Sequence, residues 1–395
     1  MNIVFCKWKC ICEAGISDSF IKLGHNIISF DEESLDNDYD TKYLTKFVDF
    51  TSGLTNIDFV FTANYLPIIA RACKLLKIPY VSWIIDCPLL TLFSETISYP
   101  TNYVFVFDKF QAEQIEPYNK GHIFYLPLGC DTNLYDSLTI TPDDALKYTH
   151  DVSFVGSLYS EKNANKYDLF TKELPEYLIG YINGLIAAQQ NLLGYDVVYD
   201  SISDEFCDEF IKYSGIKFRP DYYNNKKYFI SQYMINYKCT EIERKKLLNI
   251  LSNEFDTHLY TLSDVSMLPN IHNHGPADTV NVMPKVFNLS KINLNITLRS
   301  IQSGVPQRIY DILGCGGFLI TNYQSEIAEL FTPDEDLVMY ESHQDLIDKV
   351  RYYLANEDER LRIAANGYNK IHEKHTYTQR LSNMLYIIEQ IKNAS

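Results

Sequence analysis

The sequence lacks long hydrophobic runs and the spacing of a metal-binding motif. No apolar stretch approaches the roughly 18 residues that span a bilayer, and the opening MNIVF predicts a strand, so we expect a cytoplasmic protein without integral membrane association. The nine cysteines are scattered, and most lie in apolar runs, as is typical of reduced core residues. Cys10 and Cys12 are one residue too close for a CxxC site. The sequence therefore predicts no metal and no other cofactor.

Basic residues are also few. Lys and Arg number 35 against 51 Asp and Glu, which gives a formal net charge of -16. Such a field repels the phosphate backbone of nucleic acids and anionic lipid surfaces, so we expect no nucleic-acid partner. A small nucleotide ligand is still compatible with this charge, because backbone N–H groups and one well-placed Arg act locally. Nothing in the sequence indicates the oligomeric state.

The glycine-rich fingerprint of dinucleotide-binding proteins is missing from the first predicted βα turn, although strands and helices alternate clearly. This alternation predicts a parallel α/β sheet, and 395 residues suffice for two domains. A polar, turn-rich stretch marks the predicted boundary. We predict an N-terminal domain of residues 1–148 and a second domain of 149–376, with a mainly helical elaboration at about 160–256. The C-terminal helix, 377–395, is predicted to pack back on the first domain.

The stretch SKINLNITLRSIQSGVPQRIYDILGCGGFLITN, residues 290–322, predicts a strand, a loop and a helix. The loop falls at the carboxyl edge of the sheet, where open α/β sheets bind ligands. Pro306 suits the first position of the helix. Since Gly304 allows close approach to the backbone, and a helix N-terminus carries free N–H groups and partial positive charge, this turn suits a diphosphate.

Two charged side chains on that helix are three residues apart and therefore share a face. Arg308 can fork onto phosphate oxygens, and Asp311 can accept hydrogen bonds from vicinal hydroxyls such as those of a ribose. The alternative is an ordinary surface ion pair. The glycine loop before the pair favours the ligand-binding interpretation, as does the glycine run after it, in which Gly316 and Gly317 add no side chains.

Two other positions have a functional and a structural interpretation. Asp86 follows the apolar strand VSWII, so it suits a general base for an acceptor hydroxyl, or a turn or capping residue before Pro88. His272 and His274 flank one Asn. Because no Cys or carboxylate cluster in the sequence completes a ligand set, we favour hydrogen bonding over metal binding for both.

Motifs along nearly the whole chain occur in an order that is specific to one family. The series FVGSLY, HGPAD, INLNIT, SGVPQRIYDILGCGGFLIT and EKHTYTQRL resembles the spore maturation protein CgeB family of GT-B glycosyltransferases. In the first half, IIDCP, VFDK and YLPLGCDT resemble that family's N-terminal domain. The resemblance implies the GT-B form of an α/β fold, in which two Rossmann-like domains face each other across a cleft.

The resemblance also implies a nucleotide-sugar site in the C-terminal domain. It places Gly156 and Ser157 in the loop after that domain's first strand. His274 and Gly275 are expected near the base or the ribose of the donor.

On the same basis Arg308 is expected to meet the diphosphate and Asp311 the ribose. Retaining GT-B enzymes often carry two Glu eight positions apart, and here Ser303 and Asp311 occupy those places. The contact of the first carboxylate with the donor sugar is therefore missing or supplied elsewhere, which leaves the stereochemical outcome open.

The implied activity is that of a hexosyltransferase. A UDP-hexose or UDP-N-acetylhexosamine is the favoured donor, and the acceptor is a surface glycan or a protein, with no metal required. Two alternatives share this fold: a nucleotide-sugar 2-epimerase, and a non-catalytic coat or scaffold protein. The intact stretch from Gly304 to Gly317 argues against the second alternative.

Overall fold

A computed structural model describes residues 1–32, 34, 36, 38–161 and 166–394. The chain separates into two compact units, each of which contains one six-stranded sheet. Unit 1 comprises residues 1–133, 219–224 and 374–395, and unit 2 comprises 134–218 and 225–373. These compact units are not the same as the domains predicted above, and the predicted domain limits remain a prediction.

Unit 1 alternates strands and helices along most of its length. Its elements are β1 Asn2–Cys6, α1 Glu13–Lys22, β2 Asn26–Phe30, α2 Thr41–Ser52, β3 Phe59–Ala63, α3 Pro67–Leu76, β4 Tyr80–Ile84, β5 Asn102–Val106, α4 Lys109–Ile115, β6 Ile123–Tyr125 and the final helix, α18, Tyr377–Ala394.

The sheet of unit 1 has the strand order β2-β1-β3-β4-β5-β6, and all its neighbours pair in parallel. Strands β3 and β4 are buried along their whole length, as expected for strands covered on both faces. Gly24 follows α1 with a φ of +83°, a backbone conformation that suits a glycine at a helix end. The chain order reverses between β1 and β3, so the polar loops that follow these strands meet at one edge.

The C-terminal helix α18 belongs to unit 1 and packs against α1. Arg380 fastens it by donating to the carbonyl of Leu128 at 2.8 Å, and the ring of Tyr377 lies edge-on to Trp83. Burial of these side chains stabilises the packing of the first turn of α18 on the first sheet.

Unit 2 contains the remaining elements. They are α5 Thr132–Asp136, which begins at the end of unit 1, α6 Pro142–Tyr148, β7 Val152–Val155, α7 Tyr167–Thr171, α8 Glu176–Gln189, α9 Val197–Ser201, α10 Asp204–Ser214, α11 Lys226–Tyr228, α12 Asn236–Glu254, β8 Thr257–Tyr260, β9 His272–Asn273, α13 Met283–Leu289, β10 Ile292–Asn295, α14 Gln307–Gly314, β11 Leu319–Asn322, α15 Ile327–Leu330, β12 Val338–Tyr340, α16 His343–Ala355 and α17 Glu357–Lys374.

The second sheet has the order β12-β11-β10-β7-β8-β9, again with parallel neighbours. Counted from β7, this is the 3-2-1-4-5-6 order of a Rossmann sheet, with its switch point between β7 and β10. Ligands of open α/β sheets bind beyond the carboxyl ends of the strands at such a point. The topology therefore selects the loops after β7 and β10.

The segment between β7 and β8 is mainly helical and forms its own apolar cluster, which includes Leu178, Ile182, Phe210 and Met234. A π-helix, Phe229–Ile235, continues directly into α12. The predicted fold, two Rossmann-like α/β domains with a helical elaboration in the second, is thereby confirmed. Among the residues that the structure describes, no helix combines the length and the apolar character needed to cross a membrane.

Candidate functional site

The loops that follow β7 and β10 lie side by side at the switch point of unit 2. Gly156 follows β7, and its N–H donates to the carbonyl of Tyr260 at the end of β8. After β10, the N–H of Thr297 donates to the side chain of Asn322 at 2.7 Å. Both loops are therefore fixed to the strand beside them, and they leave the sheet at the edge selected by its topology.

Arg244 of α12 joins these two loops. Its guanidinium donates to the carbonyl of Ser157 at 2.6 Å and, through Nε, to the carbonyl of Ile296 at 3.0 Å. The same group lies 5.2 Å from the centre of the Phe154 ring and 4.9 Å from that of Tyr159. A buried cation of this kind is tolerated because carbonyl oxygens and ring faces replace its water.

Sequence reasoning missed Arg244, although α12 carries a signal for it. Arg244 shares one helical face with Leu247, Leu248 and Leu251, and all four residues are buried. Burial of a single cation on an apolar helical face costs free energy unless hydrogen-bond acceptors lie beside it. An Arg in such a position therefore indicates a residue with specific partners. The partners themselves are up to 87 positions away in the sequence, beyond the reach of any local pattern.

The neighbouring residue, Glu243, supports the loop after β10 through a buried ion pair. Arg299 donates from Nε and Nη2 to the two carboxylate oxygens of Glu243, each at 2.7 Å, and from Nη1 to the carbonyl of Leu192. The two side chains are 8% and 2% exposed. A bidentate ion pair with so little solvent exposure holds the loop after β10 in one conformation.

Ser157 is tied to a carboxylate. Its hydroxyl donates to Glu161 at 2.8 Å and accepts from the N–H of Tyr159. Ser263, after β8, also donates to Glu161. Burial raises the pKa of Glu161, but the hydrogen bonds from Ser263 and Ser157 outweigh it and lower this pKa below its usual value. The loop that contains Ser157, which is predicted to contact the donor, is therefore held in place by the Glu161 carboxylate.

Ser303 lies in the loop that precedes α14 and is also paired with a carboxylate. Its hydroxyl donates to Glu326 at 2.7 Å, and Glu326 is 1% exposed. Gly304, the next residue, is buried. The structure therefore places a carboxylate beside Ser303, although the sequence has none at that position.

Helix α14 begins at Gln307, with Pro306 as the N-cap residue, one position before the predicted place of this proline. Arg308 and Asp311 share a face as predicted, with Nη1 of Arg308 3.2 Å from Oδ2 of Asp311. The guanidinium also contacts the sulfur of Met283 and lies over the ring of Phe287. Its side chain is 28% exposed, which leaves part of it accessible to a ligand.

Asp311 is more deeply buried than Arg308 and is hydrogen-bonded within the protein. Its Oδ1 accepts from the hydroxyl of Tyr135 at 2.8 Å and from the side-chain amide of Gln307 at 2.9 Å. Burial raises the pKa of Asp311, while Arg308, Gln307 and Tyr135 oppose that rise. A ribose hydroxyl would therefore bind Oδ2 beside Arg308 or replace one of the two donors on Oδ1, of which Gln307 is the more exposed.

Gly316 and Gly317 follow the other end of α14 and are not brought to the Gly304 loop. An eight-residue helix is about 12 Å long, so the two glycine positions are separated by that distance along its axis. Gly316 has a φ of +73°, which suits a helix end. A Cβ on Gly317 would lie 2.5 Å from the carbonyl oxygen of Phe287. In the structure both glycines serve backbone geometry and packing.

His274 and Gly275 follow β9, the edge strand, and are separated from the β7–β10 switch point by β8. Gly275 has a φ of +75°. The ring of His274 is hydrogen-bonded to His258, which also contacts Asp256. The premise that nothing completes a ligand set is therefore wrong for His272, because the fold brings Asp256 and His258 to it. His274 lies instead in a set with His150 and His258 that contains no carboxylate.

Asp86 lies in unit 1, two residues after β4, and is exposed to solvent. Asn64 donates from its side chain to Oδ2 of Asp86 at 2.7 Å, and its amide oxygen accepts from the N–H groups of Ile85 and Asp86. The side chain of Gln111 donates to the carbonyl of Asp86. The carboxylate is thus held in place at the carboxyl edge of the first sheet while it remains open to solvent.

A sequence family described as "Glycosyl transferase-like" matches residues 242–386. No curated protein matches the chain significantly. Among solved structures, a glycosyltransferase from Rickettsia africae ESF-5 is similar, with 11% identity, a TM-score of 0.57, and coverage of 100% of this chain and 99% of its own. Anabaena HepE in complex with UDP-glucose has 11% identity, a TM-score of 0.55 and full coverage of both chains. Sucrose-phosphate synthase from Thermosynechococcus elongatus has 11% identity, a TM-score of 0.54 and full coverage of both.

These likenesses agree with the two parallel sheets and define the fold as that of GT-B glycosyltransferases. The family match covers α12 from Ile242 onward, the loop after β10 and α14, which build part of the candidate site, whereas the loop after β7 lies outside it. Together they support a glycosyltransferase, with the matched domain centred on the second sheet.

The packing role of Gly317 can be tested against a ligand-binding role. Gly317→Ala should lower the free energy of unfolding by about 1–3 kcal/mol, since the added methyl group meets a backbone carbonyl that cannot move easily. Urea unfolding measures this change. Gly180→Ala is the matched control, because the same methyl group in α8 would meet no atom within 4 Å beyond the adjacent backbone of its own helix. Unchanged stability of the Gly317 variant would return this glycine to the ligand-binding candidates.

Proposed function

We propose that this chain is a cytoplasmic, CgeB-like glycosyltransferase that moves a hexose or N-acetylhexosamine from a UDP-sugar to a surface glycan or protein acceptor. The observation that carries the proposal is the switch point between β7 and β10. It coincides with the loops predicted to bind the donor and lies in the unit that contains most of the glycosyl transferase-like match. The UDP-glucose bound by Anabaena HepE, a protein of similar fold, supports this class of donor.

In this proposal the diphosphate binds at the start of α14. Arg308, whose side chain is 28% exposed, is held there by Asp311 and the Phe287 ring. The N-terminus of a helix carries partial positive charge, which complements the phosphates. Asp311 would accept from the ribose at Oδ2 or, after Gln307 moves aside, at Oδ1. The Ser157 loop, fixed by Arg244, would cover the other side of the donor.

The reaction is a nucleophilic substitution at the anomeric carbon. An acceptor hydroxyl oxygen forms the new bond to that carbon, the bond from the carbon to the phosphate oxygen breaks, and the hydroxyl proton passes to a base. Nucleoside diphosphate leaves with the bonding electron pair. Catalysis then comes from holding donor and acceptor in attack geometry and from stabilising charge on the leaving group through Arg308 and the helix N–H groups.

Identification of the donor makes the site testable. A nucleotide sugar at about 100 times its dissociation constant adds roughly 2.7 kcal/mol of apparent stability, so a thermal-shift screen of nucleotide sugars detects it. Arg308→Ala should then weaken binding by roughly 1.5–3 kcal/mol, because one charge-assisted contact is lost. Arg351→Ala, which removes an exposed cation of α16, is the control and should bind normally. Equal donor affinity of the Arg308 variant and the wild type would refute the diphosphate site.

The same proposal assigns charge neutralisation of the diphosphate to Arg308 and the helix N-terminus, not to a divalent ion. Turnover should therefore continue at the wild-type rate in excess EDTA and should not increase with added Mg²⁺ or Mn²⁺. Release of nucleoside diphosphate over time is the measurement. If chelation abolished turnover and Mg²⁺ or Mn²⁺ restored it, the reaction would belong to the metal-assisted class.

Asp86 is proposed to act on the acceptor and not on the donor. An oriented, solvent-accessible carboxylate can position or deprotonate an acceptor hydroxyl, a role worth about 100- to 10,000-fold in rate. Asp86→Asn should therefore slow transfer at least about 100-fold while the donor dissociation constant stays nearly unchanged. Asp49→Asn, at another exposed position of unit 1, is the control. Wild-type transfer by the folded Asp86 variant would leave this residue a structural role only.

A further inference from the structure

Three distant segments of unit 2 bring histidines together beside the edge strand of the second sheet. His150 precedes β7, His258 lies in β8, and His272 and His274 lie in and directly after β9. Strand pairing aligns His258 with His272. Four of the nine histidines of the chain therefore share one small region with Asp256. The mechanism proposed above uses none of them.

Within this region Asp256, His258 and His272 have the spacing of a ligand set. Oδ1 of Asp256 lies 3.1 Å from Nε2 of His258 and 3.3 Å from Nε2 of His272. Two ligands that each lie about 2.0–2.1 Å from a tetrahedral ion are about 3.3 Å apart. All three ligand atoms lie within 4.8 Å of one another. Small side-chain rotations are sufficient to bring them around one ion.

The remaining residues of the cluster support His258. Its Nδ1 lies 2.8 Å from Nε2 of His274, so the ring can donate its second N–H while Nε2 faces Asp256. The ring of His150 stacks on that of His258 with 3.6 Å between the ring centroids, and Nε2 of His150 is hydrogen-bonded to the hydroxyl of Tyr260. Histidine ligands of metals usually have such a partner on the nitrogen that does not bind the ion.

We propose that Asp256, His258 and His272 bind a divalent transition-metal cation of the Zn²⁺ class. Two imidazoles and one carboxylate form a donor set that suits Zn²⁺ better than Mg²⁺ or Ca²⁺. The fourth position faces solvent, because the side chains of Asp256 and His272 are 51% and 60% exposed. His274 acts as a positioning residue, since it holds the ring of His258.

The ion joins β8 to β9 and has no part in sugar transfer. Asp256 precedes β8, His258 is the second residue of that strand, and His272 is the first residue of β9. The ligands therefore cluster toward the amino ends of these strands, whereas the proposed donor site lies beyond the carboxyl ends of β7 and β10. A two-residue edge strand has few backbone hydrogen bonds, so a cross-strand ion would stabilise it.

Titration of the full, chelator-treated chain with Co²⁺ tests the site. Co²⁺ should bind one equivalent with the visible absorption of a low-symmetry nitrogen and oxygen site, and Zn²⁺ should displace it. His272→Ala and Asp256→Asn should each raise the dissociation constant at least about tenfold. His372→Ala is the matched control, because His372 also pairs with an aspartate, Asp136, yet lies outside the cluster. Circular dichroism verifies that each variant is folded.

Other results would overturn the assignment. Absence of a one-equivalent Co²⁺ spectrum would contradict the site, and so would wild-type affinity in both folded ligand variants. If His150→Ala abolished binding while His272→Ala did not, the ion would sit among His150, His258 and His274 instead.

His274→Ala should weaken binding severalfold and keep the stoichiometry. Zn²⁺ should also raise the thermal midpoint of the wild type but not of His272→Ala.

Discussion

The arrangement of the second unit depends on where the buried guanidinium of Arg244 finds its acceptors. The desolvation of a cation costs several kcal/mol, and only carbonyl oxygens at the correct positions offset it. Those oxygens belong to Ser157 and Ile296, which follow the two strands that flank the switch point. The loops after β7 and β10 must therefore stay together, whether or not a ligand is present. The bidentate pair of Arg299 with Glu243 adds a second constraint to the loop after β10.

Local features of the chain were predictable from the sequence because their causes are local. The alternation of apolar and amphipathic stretches follows from strand and helix periodicity and yielded the two-domain α/β fold. The face shared by Arg308 and Asp311 follows from a spacing of three within a helix, and the structure has them in contact. The end of α1 likewise has a local cause, because Gly24 follows it with a positive φ that few other residues adopt without strain.

Features that rest on distant partners were not predictable in this way. Tyr135 donates to Asp311 across 176 positions, and Glu326 joins Ser303 across 23. No short motif encodes either contact. The glycine run after α14 shows the opposite limit: its pattern favoured ligand binding, but Gly317 is small because a backbone carbonyl lies against it. A glycine in the sequence indicates that a side chain does not fit at that position. It does not indicate whether a ligand or another part of the protein occupies the space.

The short segment 219–224 belongs to unit 1, although the chain on both sides of it belongs to unit 2. Arg219 pairs with Asp38 at 2.9 Å, the hydroxyl of Tyr222 donates to the same carboxylate, and the ring of Tyr223 stacks on Tyr118. The polypeptide therefore passes from one unit to the other four times, at 133/134, 218/219, 224/225 and 373/374. Neither unit corresponds to one uninterrupted stretch of coding sequence. A clone that ends at residue 133 would encode the first sheet without the strip that contacts Asp38 and without the closing helix, so dissection of this enzyme by simple truncation would yield incomplete folding units.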